Sequence, residues 1–344
     1  MIEKKSIQGL NLYSRVRDSI YKDIYYGNYP DGAAIPSERA LADMYHVSRV
    51  TVRKALDLLE EEKIISRIQG SGTRVSLDYG ARRGNMDIIT IVAPAQNAFF
   101  AKMMDAVQTK ADEMDSLVLF QQKPKDIPLE KCLFRIYRKG FRNLILWKED
   151  LEIPQEFLYR LKGMGMSVVL FDTPDPGNIL DSVSLDNASA ISRLAASLRA
   201  KEGTCAYVTW DHPGIDSLRI REDTFHSAVP SGDVFRIPYE YHNRESSLGQ
   251  EVLADFARRL SQYDTVIYAV GELGMLFEGA AHLAERPHRS GMIGMIQGAK
   301  ELGIYVIEQD FPAMADSIIE CLQRQNTEHG GWIARNNLIP GYEV

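Results

Sequence analysis

A basic surface with one apolar member is the feature of this sequence that most directly implies chemistry. Arg49, Val50 and Arg53 would share one face near the start of a helix that begins after Ser48. The Ser48 hydroxyl can accept from the unpaired amides of the first turn, where the helix dipole also attracts a phosphate. With Thr51 beside them, these side chains could reach base edges in a major groove.

Hydrophobic spacing predicts the elements that would hold this surface. The other side of the same helix carries apolar residues at helical spacing, namely Val52, Ala55, Leu56 and Leu59. A preceding helix is predicted to start at Ser37 after Pro36 and to bury Leu41, Ala42 and Tyr45. Arg39 would stay exposed on that helix and contact the DNA backbone or a guanine.

An earlier helix is predicted to support the same unit. Asn11 would cap it, Val16, Ile20 and Ile24 are spaced by four residues, and Gly27 would end it. We expect this helix to pack against the others and not to contact DNA.

Three sequence blocks resemble the GntR family of bacterial transcription factors. They are Pro36-Ser-Glu-Arg, Val47-Ser-Arg-Val-Thr-Val-Arg-Lys-Ala-Leu and Gln69-Gly-Ser-Gly-Thr, in the family's order, and the resemblance spans roughly residues 10 to 76. It implies a winged helix-turn-helix at residues 1–75 whose wing enters the minor groove. The DNA-binding residues it implies, together with the neighbours predicted above, are Arg39, Ser48, Arg49, Val50, Thr51, Arg53, Gln69, Gly70, Ser71 and Thr73.

A plainer interpretation of the same segment is available. Small amphipathic helical units with surface arginines are common, and a charge-rich helix face is usually only solvated. Three ordered blocks that end in a glycine hairpin are much rarer by chance, so we favour DNA binding.

The charge distribution confines the basic character to the first part of the chain. The 344 residues have a net charge of −7, but residues 1–86 hold 14 Lys and Arg against 11 Asp and Glu, which leaves the remaining 258 at −10. An acidic body limits indiscriminate adhesion to phosphate. One head should therefore bind weakly, whereas the two heads of a homodimer would span the half-sites of a palindromic operator.

Several classes of protein are disfavoured by the sequence. No apolar run is long enough for a membrane span and no secretory leader is evident, so we expect a cytoplasmic protein. The cysteines, at 132, 205 and 321, are too far apart to indicate a disulfide framework or a zinc site. We find no nucleophile elbow, phosphate loop or zincin motif, and the body is short for the aminotransferase-like domain of some GntR-headed chains. We therefore expect no catalytic residues, metal or cofactor.

The body alternates short apolar runs with longer amphipathic segments. After a linker at residues 76–86, apolar runs occur at 88–92, 117–120, 143–146, 167–171, 204–209 and 265–270. This alternation is typical of parallel α/β sheets.

Such sheets bind ligands beyond the carboxyl ends of their strands. Aromatic and charged residues that follow the apolar runs are Phe99, Phe100, Trp147, Asp172, Trp210 and Glu272. Aromatic faces with a few fixed charges suit a small polar ligand. The aromatic residues could instead pad a helix start, and Asp172 could cap a turn.

The body, residues 87–344, resembles the LacI/GalR type of effector domain. The matching segments include Asn97-Ala-Phe-Phe, Val168 to Asp172, Ser182 to Asn187, Arg221-Glu-Asp-Thr-Phe and Ile307-Glu-Gln-Asp-Phe. The resemblance implies a two-lobed, periplasmic-binding-protein-like (type I) α/β fold, with lobe 1 at about 87–184 and 299–327 and lobe 2 at about 185–298 and 328–344. Together with the strand-end residues, it implies an effector-binding set of Phe99, Phe100, Trp147, Asp172, Arg221, Tyr241, His242 and Glu272.

The sequence departs from that family in two places. The family's Gly-Tyr-Asp segment stands here as Gly294-Met-Ile-Gln, without a carboxylate, and the hinge helix next to DNA is missing. The overall expectation is a DNA-binding transcriptional regulator, a repressor, controlled by a small effector such as a sugar or sugar derivative. The alternative is a DNA-binding adaptor or organising protein whose lobes bind a protein partner.

Overall fold

The computed structural model describes residues 3–68, 72–77, 86–93, 98–123, 126–148, 153–212, 214–238, 250–281, 288–294, 296–328 and 332–344. Within them lie an N-terminal helical head and two α/β lobes. Every described helix falls short of the length and apolar character that a membrane span requires.

The head consists of three helices and a hairpin, as the sequence predicts. Its elements are α1 (Glu3–Tyr25), α2 (Glu38–Tyr45), α3 (Arg49–Glu61), β1 (Ile65–Ile68) and β2 (Gly72–Val75). Ser37 and Ser48 cap α2 and α3 through their side chains, which confirms both predicted helix starts. The predicted cap at Asn11 is wrong, because α1 begins at Glu3, in a segment rich in the helix-forming residues Glu, Lys and Gln.

The core of the head is the predicted one. The four apolar residues of α3 are buried, together with Val16, Ile20, Ile24, Leu41 and Ala42. Tyr45 is only partly buried. After α2, His46 adopts a left-handed conformation and turns the chain toward α3.

Lobe 1 is built on a sheet with strand order β13-β7-β6-β5-β3-β4, all parallel. Its first elements are β3 (Ile88–Ala93), α4 (Ala98–Asp112), β4 (Leu117–Gln122), α5 (Leu129–Arg138), β5 (Asn143–Leu146), α6 (Gln155–Gly163), β6 (Ser167–Phe171) and β7 (Asp181–Leu185). The later members are α11 (Phe311–Thr327) and β13 (Asn336–Ile339).

Lobe 2 has a second sheet with strand order β14-β12-β11-β10-β8-β9, in which β14 alone is antiparallel. Its elements are α7 (Asn187–Ser197), β8 (Cys205–Asp211), α8 (Asp216–Ala228), β9 (Asp233–Pro238), α9 (Gln250–Leu260), β10 (Thr265–Tyr268), α10 (Gly271–Ala281), β11 (Arg289–Ile293), β12 (Tyr305–Glu308) and β14 (Tyr342–Glu343). The six apolar runs noted in the sequence all coincide with strands.

The chain passes between the lobes three times, after β7, after β12 and after β13. The lobe boundaries inferred from sequence are therefore wrong in two places. β12 pairs with β11 in lobe 2, and β13 pairs with β7 in lobe 1. Short strands next to a crossing have no periodicity of their own that shows which sheet accepts them, because only pairing decides this.

The head packs directly on lobe 1 through a contact that we call the head joint. It consists of Tyr21 and Tyr25 on α1, Phe134 and Tyr137 on α5, and Phe157 on α6, within one continuous hydrophobic cluster. The Tyr21 and Tyr137 rings stack with centroids 5.1 Å apart, and Tyr25 lies 4.8 Å from Phe134. The Tyr25 hydroxyl also donates to the Glu130 carbonyl at 2.7 Å. The linker predicted at 76–86 lies largely outside the described residues, and the packed α1 gives the head a second attachment.

Candidate functional site

The start of α3 presents an exposed surface that contains the predicted base-contacting residues. The amide of Thr51 donates to Ser48 Oγ at 3.1 Å, and the two hydroxyls lie 2.8 Å apart. Arg49 is exposed, and Val50 keeps 64% of its surface accessible although it is apolar. The helix packs through its opposite side, so these side chains are available to a partner.

Arg53 lies on this surface but is already paired. Its guanidinium donates to both Glu38 oxygens, at 3.1 and 2.9 Å. The hydrogen bond with Arg53 lowers the pKa of Glu38. This pair holds the Arg53 guanidinium beside α2.

The remaining DNA-binding predictions are placed only in part. Arg39 is exposed on α2, and Thr73 is half-buried in the hairpin opposite Arg67. Gln69, Gly70 and Ser71 lie outside the described residues.

An aromatic wall forms where lobe 1 meets lobe 2. The Phe99 ring lies 5.9 Å from Trp147, 5.7 Å from Phe171 and 5.5 Å from Phe311. Phe99 is partly exposed, whereas Phe100 is completely buried and stacks on Trp147. The prediction that Phe100 binds the effector is therefore wrong, because neighbouring helix residues point in directions about 100° apart and this one enters the core.

The two lobes touch through Asp172 and Ser217. Asp172 follows β6 in a left-handed conformation with φ of 53°, and its Oδ2 accepts from the Ser217 hydroxyl of α8 at 3.2 Å. One turn along α8, Arg221 donates to Asn187 Oδ1 at 2.6 Å and to the Ala269 carbonyl at 2.7 Å. The structure thus brings together two predicted residues that are far apart in sequence.

Burial shapes the electrostatics of these two groups. It raises the pKa of Asp172 to about 6, against the opposing effect of the nearby Arg221 charge and the Ser217 hydrogen bond. Burial also lowers the pKa of Arg221, and Asp172 and Tyr207 partly offset this. A buried carboxyl that is held by one hydroxyl can serve as a strong acceptor for a ligand.

Two ion pairs also join the lobes, and sequence reasoning missed both. Lys102 of α4 contacts Glu308 at 3.0 Å, and Lys148 contacts Asp216 at 3.1 Å. Lys148 and Glu308 end or follow strands, so inspection of strand ends could have found them. We call the region where these contacts between the lobes meet the aromatic wall the crevice.

The other predicted effector residues are less fully placed. Glu272 lies in the first turn of α10, beyond the end of β10. Its side chain is accessible, yet surrounding protein desolvates it and raises its pKa. Tyr241 and His242 lie outside the described residues. In the described part of the chain, no group of His, Cys, Asp and Glu side chains could hold a metal ion.

The family model "Bacterial regulatory proteins, gntR family" matches residues 12–75. Residues 12–75 are a GntR-family DNA-binding domain. The mannosyl-D-glycerate transport/metabolism system repressor MngR of Escherichia coli is 36% identical over 122 residues. That match covers 36% of this chain and 46% of the relative, so the chain spans less than half the length of that relative.

The body that follows the GntR-family head has the LacI type of fold. A LacI transcriptional regulator from Lactobacillus brevis superposes with a TM-score of 0.63 at 17% identity, over 75% of this chain and all of the other. The Cra regulator of Pseudomonas putida, in complex with fructose 1-phosphate, gives 0.60 at 16% identity over 76% of this chain and 98% of that one. The predicted fold class, a winged helix-turn-helix followed by a two-lobed periplasmic-binding-protein-like α/β domain, is confirmed.

Proposed function

We propose that this protein is a transcriptional repressor that binds an operator as a homodimer and releases or engages it when a small molecule binds in the crevice. One observation carries the proposal. An exposed, capped recognition helix belongs to the same chain as a crevice whose walls meet through Asp172, Ser217 and Arg221.

The head supplies the DNA-binding half of the argument. Arg49 and Val50 are exposed at the helix start, where a recognition helix meets base edges. The head is only mildly basic, so one copy neutralises few phosphates and a pair is needed for tight binding. The described side chains that we assign to operator contact are Arg39, Ser48, Arg49, Val50, Thr51, Arg53 and Thr73, together with the wing.

The crevice supplies the sensing half. It combines an aromatic platform at Phe99 and Trp147 with buried polar groups at Asp172 and Arg221. A small polar ligand fits this combination better than a protein surface, which would need a broad exposed contact. The names of the matched proteins mention mannosyl-D-glycerate and fructose 1-phosphate, which supports a sugar or sugar derivative here.

The head joint gives a physical route between the two halves. Tyr21 and Tyr25 pack against α5 and α6 of lobe 1, so the head and lobe 1 should move together as one rigid body. A ligand that fixes lobe 2 against lobe 1 would change the arrangement of the two heads in a dimer. A coupling of about 1 to 3 kcal/mol changes DNA affinity by about 5- to 150-fold, provided that the ligand binds the two states unequally.

The test is operator binding by fluorescence anisotropy, with duplexes from the protein's own genomic neighbourhood and with a sugar panel. We expect a palindromic duplex to bind far more tightly than its half-site, and one compound both to stabilise the protein against heat and to change DNA affinity. Arg49→Ala should reduce DNA affinity without changing thermal stabilisation by that compound. Binding to no duplex at low ionic strength would refute a regulator, whereas DNA binding that no compound affects would favour the adaptor function.

A further inference from the structure

The cationic side chains of the crevice are already balanced by carboxylates. Lys102 pairs with Glu308, Lys148 pairs with Asp216, and the Arg221 charge lies beside Asp172. At the rim, Arg219 pairs with Asp216 as well. Among the residues that the structure describes on these walls, each cation therefore has an acidic neighbour.

On the described part of these walls, no cation is in excess. Lys102, Lys148, Arg219 and Arg221 face the carboxylates of Asp172, Asp216 and Glu308, and Glu272 in the first turn of α10 adds a fourth carboxylate. A phosphate or carboxylate group on a ligand would have to displace one of these carboxylates. The displaced group would then stay poorly solvated without its cation, which is unfavourable.

Two buried oxygens indicate what the ligand should offer instead. Asp172 Oδ1 and Gln309 Oε1 have no hydrogen-bond partner among the described residues. Gln309 is only 4% exposed and lies between Glu308, which pairs with Lys102 of the other lobe, and Phe311, which contacts Phe99. Both oxygens accept hydrogen bonds, and a buried acceptor without a donor costs free energy.

From this balance, and given the proposed function, we infer that the effector is an uncharged polyhydroxy compound, a free sugar or polyol, and not a sugar phosphate or sugar acid. Its hydroxyl groups donate to Asp172 and Gln309, and its C–H face lies on the aromatic platform of Phe99 and Trp147. Gln309 is thereby a specificity-determining residue.

The test uses matched probes that differ by one charged group. Thermal shift and calorimetry of the full chain would compare arabinose, ribose, fructose, mannose and glucose with arabinose 5-phosphate, ribose 5-phosphate, fructose 1-phosphate, mannose 6-phosphate and glucose 6-phosphate. Gluconate and inorganic phosphate complete the panel. We expect at least one neutral member to bind, and its charged counterpart to bind at least about tenfold more weakly. Tighter binding of a charged member, or binding of none of the neutral ones, would overturn the inference.

Two variants sharpen this test. Gln309→Leu keeps the size of the side chain but removes its hydrogen-bond acceptor, and should lower the affinity for the neutral ligand by about tenfold. Glu308→Gln removes the carboxylate that pairs with Lys102, so the ratio of neutral-sugar affinity to sugar-phosphate affinity should fall. Glu202→Gln, on the surface of lobe 2, is the control and should leave both affinities unchanged. An unchanged preference in Glu308→Gln would contradict the role given to the ion pair. Operator binding is measured separately, so a protein that binds neutral sugars but no DNA would refute the proposed function and leave this inference standing.

Discussion

The exposed face at the start of α3, which we propose contacts DNA, and the crevice are built in opposite ways. The face uses exposed side chains from one short helix, Arg49 and Val50, held by a cap two residues away at most. The crevice uses buried charges from segments far apart in sequence, such as Asp172 and Arg221. Local spacing is therefore enough to find an exposed surface on one helix, whereas a buried site is defined by the residues that pack around it.

The two regions should also respond differently to mutation. Exposed ion pairs are screened by water and contribute little to folding, as expected for Arg53 and Glu38. Buried groups are screened much less, and removal of one leaves its neighbour unpaired. A substitution in the face should therefore change binding alone, while one in the crevice should change folding and sensing together.

The largest effect is expected for Arg221→Met. The change leaves Asn187 Oδ1, the Ala269 carbonyl and the Asp172 charge without their buried cation. Denaturant unfolding should show a loss of about 3 to 5 kcal/mol, and the response to effector should disappear. Arg258→Met on exposed α9 is the control and should leave both unchanged. An unchanged free energy of unfolding in Arg221→Met would mean that the buried charges of the crevice contribute as little to folding as the exposed charges of α3.

Asp172→Asn should show the next largest effect, with a characteristic pH dependence. Burial raises the pKa of Asp172 in the folded protein to about 6, above its ordinary value of about 4. Protonation of Asp172 therefore stabilises the folded state fully below about pH 4, and this stabilisation is lost as the pH rises through about 6. The variant should thus be more stable than the wild type at pH 8, by up to about 3 kcal/mol, and equal to it below about pH 4. Thermal unfolding of both proteins between about pH 4 and pH 8 would measure this. A stability difference that grows toward low pH would contradict the raised pKa of Asp172.

Arg49→Ala tests the other side of the comparison. Loss of a base-edge contact should weaken operator binding by about 1 to 3 kcal/mol and relax the base preference, without changing the melting temperature. Arg15→Ala, an exposed arginine on α1 of the same head, should bind the operator nearly as well as the wild type. Equal losses in both variants would indicate general charge attraction instead of base contact.

The smallest effect is expected for Glu38→Gln. It releases Arg53 from its two hydrogen bonds and should increase operator affinity by less than about fivefold, with little change in thermal stability. Anisotropy titrations at two salt concentrations would measure this. A fall in affinity would show that Glu38 positions Arg53 for DNA and does not compete with it.

The two regions also differ in how far the sequence predicted them. The caps at Ser37 and Ser48 and the buried face of α3 were predicted, because capping and helical periodicity are local properties. In the crevice, the sequence placed Phe99, Asp172 and Arg221 as candidates but included Phe100, which is core, and omitted Lys102, Lys148 and Gln309. Which side of a helix start faces a ligand depends on the element packed against it, and that information is not local.

Local sequence patterns were enough to predict the winged helix-turn-helix and the parallel α/β character of the body, and they marked the strand ends that we propose as the ligand site. Three features became visible only in the folded chain: the sheets that β12 and β13 join, the charges that pair across the lobes, and the packing of Tyr21 and Tyr25 against lobe 1. Caps and periodicity act over a few residues, whereas strand pairing, ion pairing and aromatic packing join residues that are tens to hundreds of positions apart.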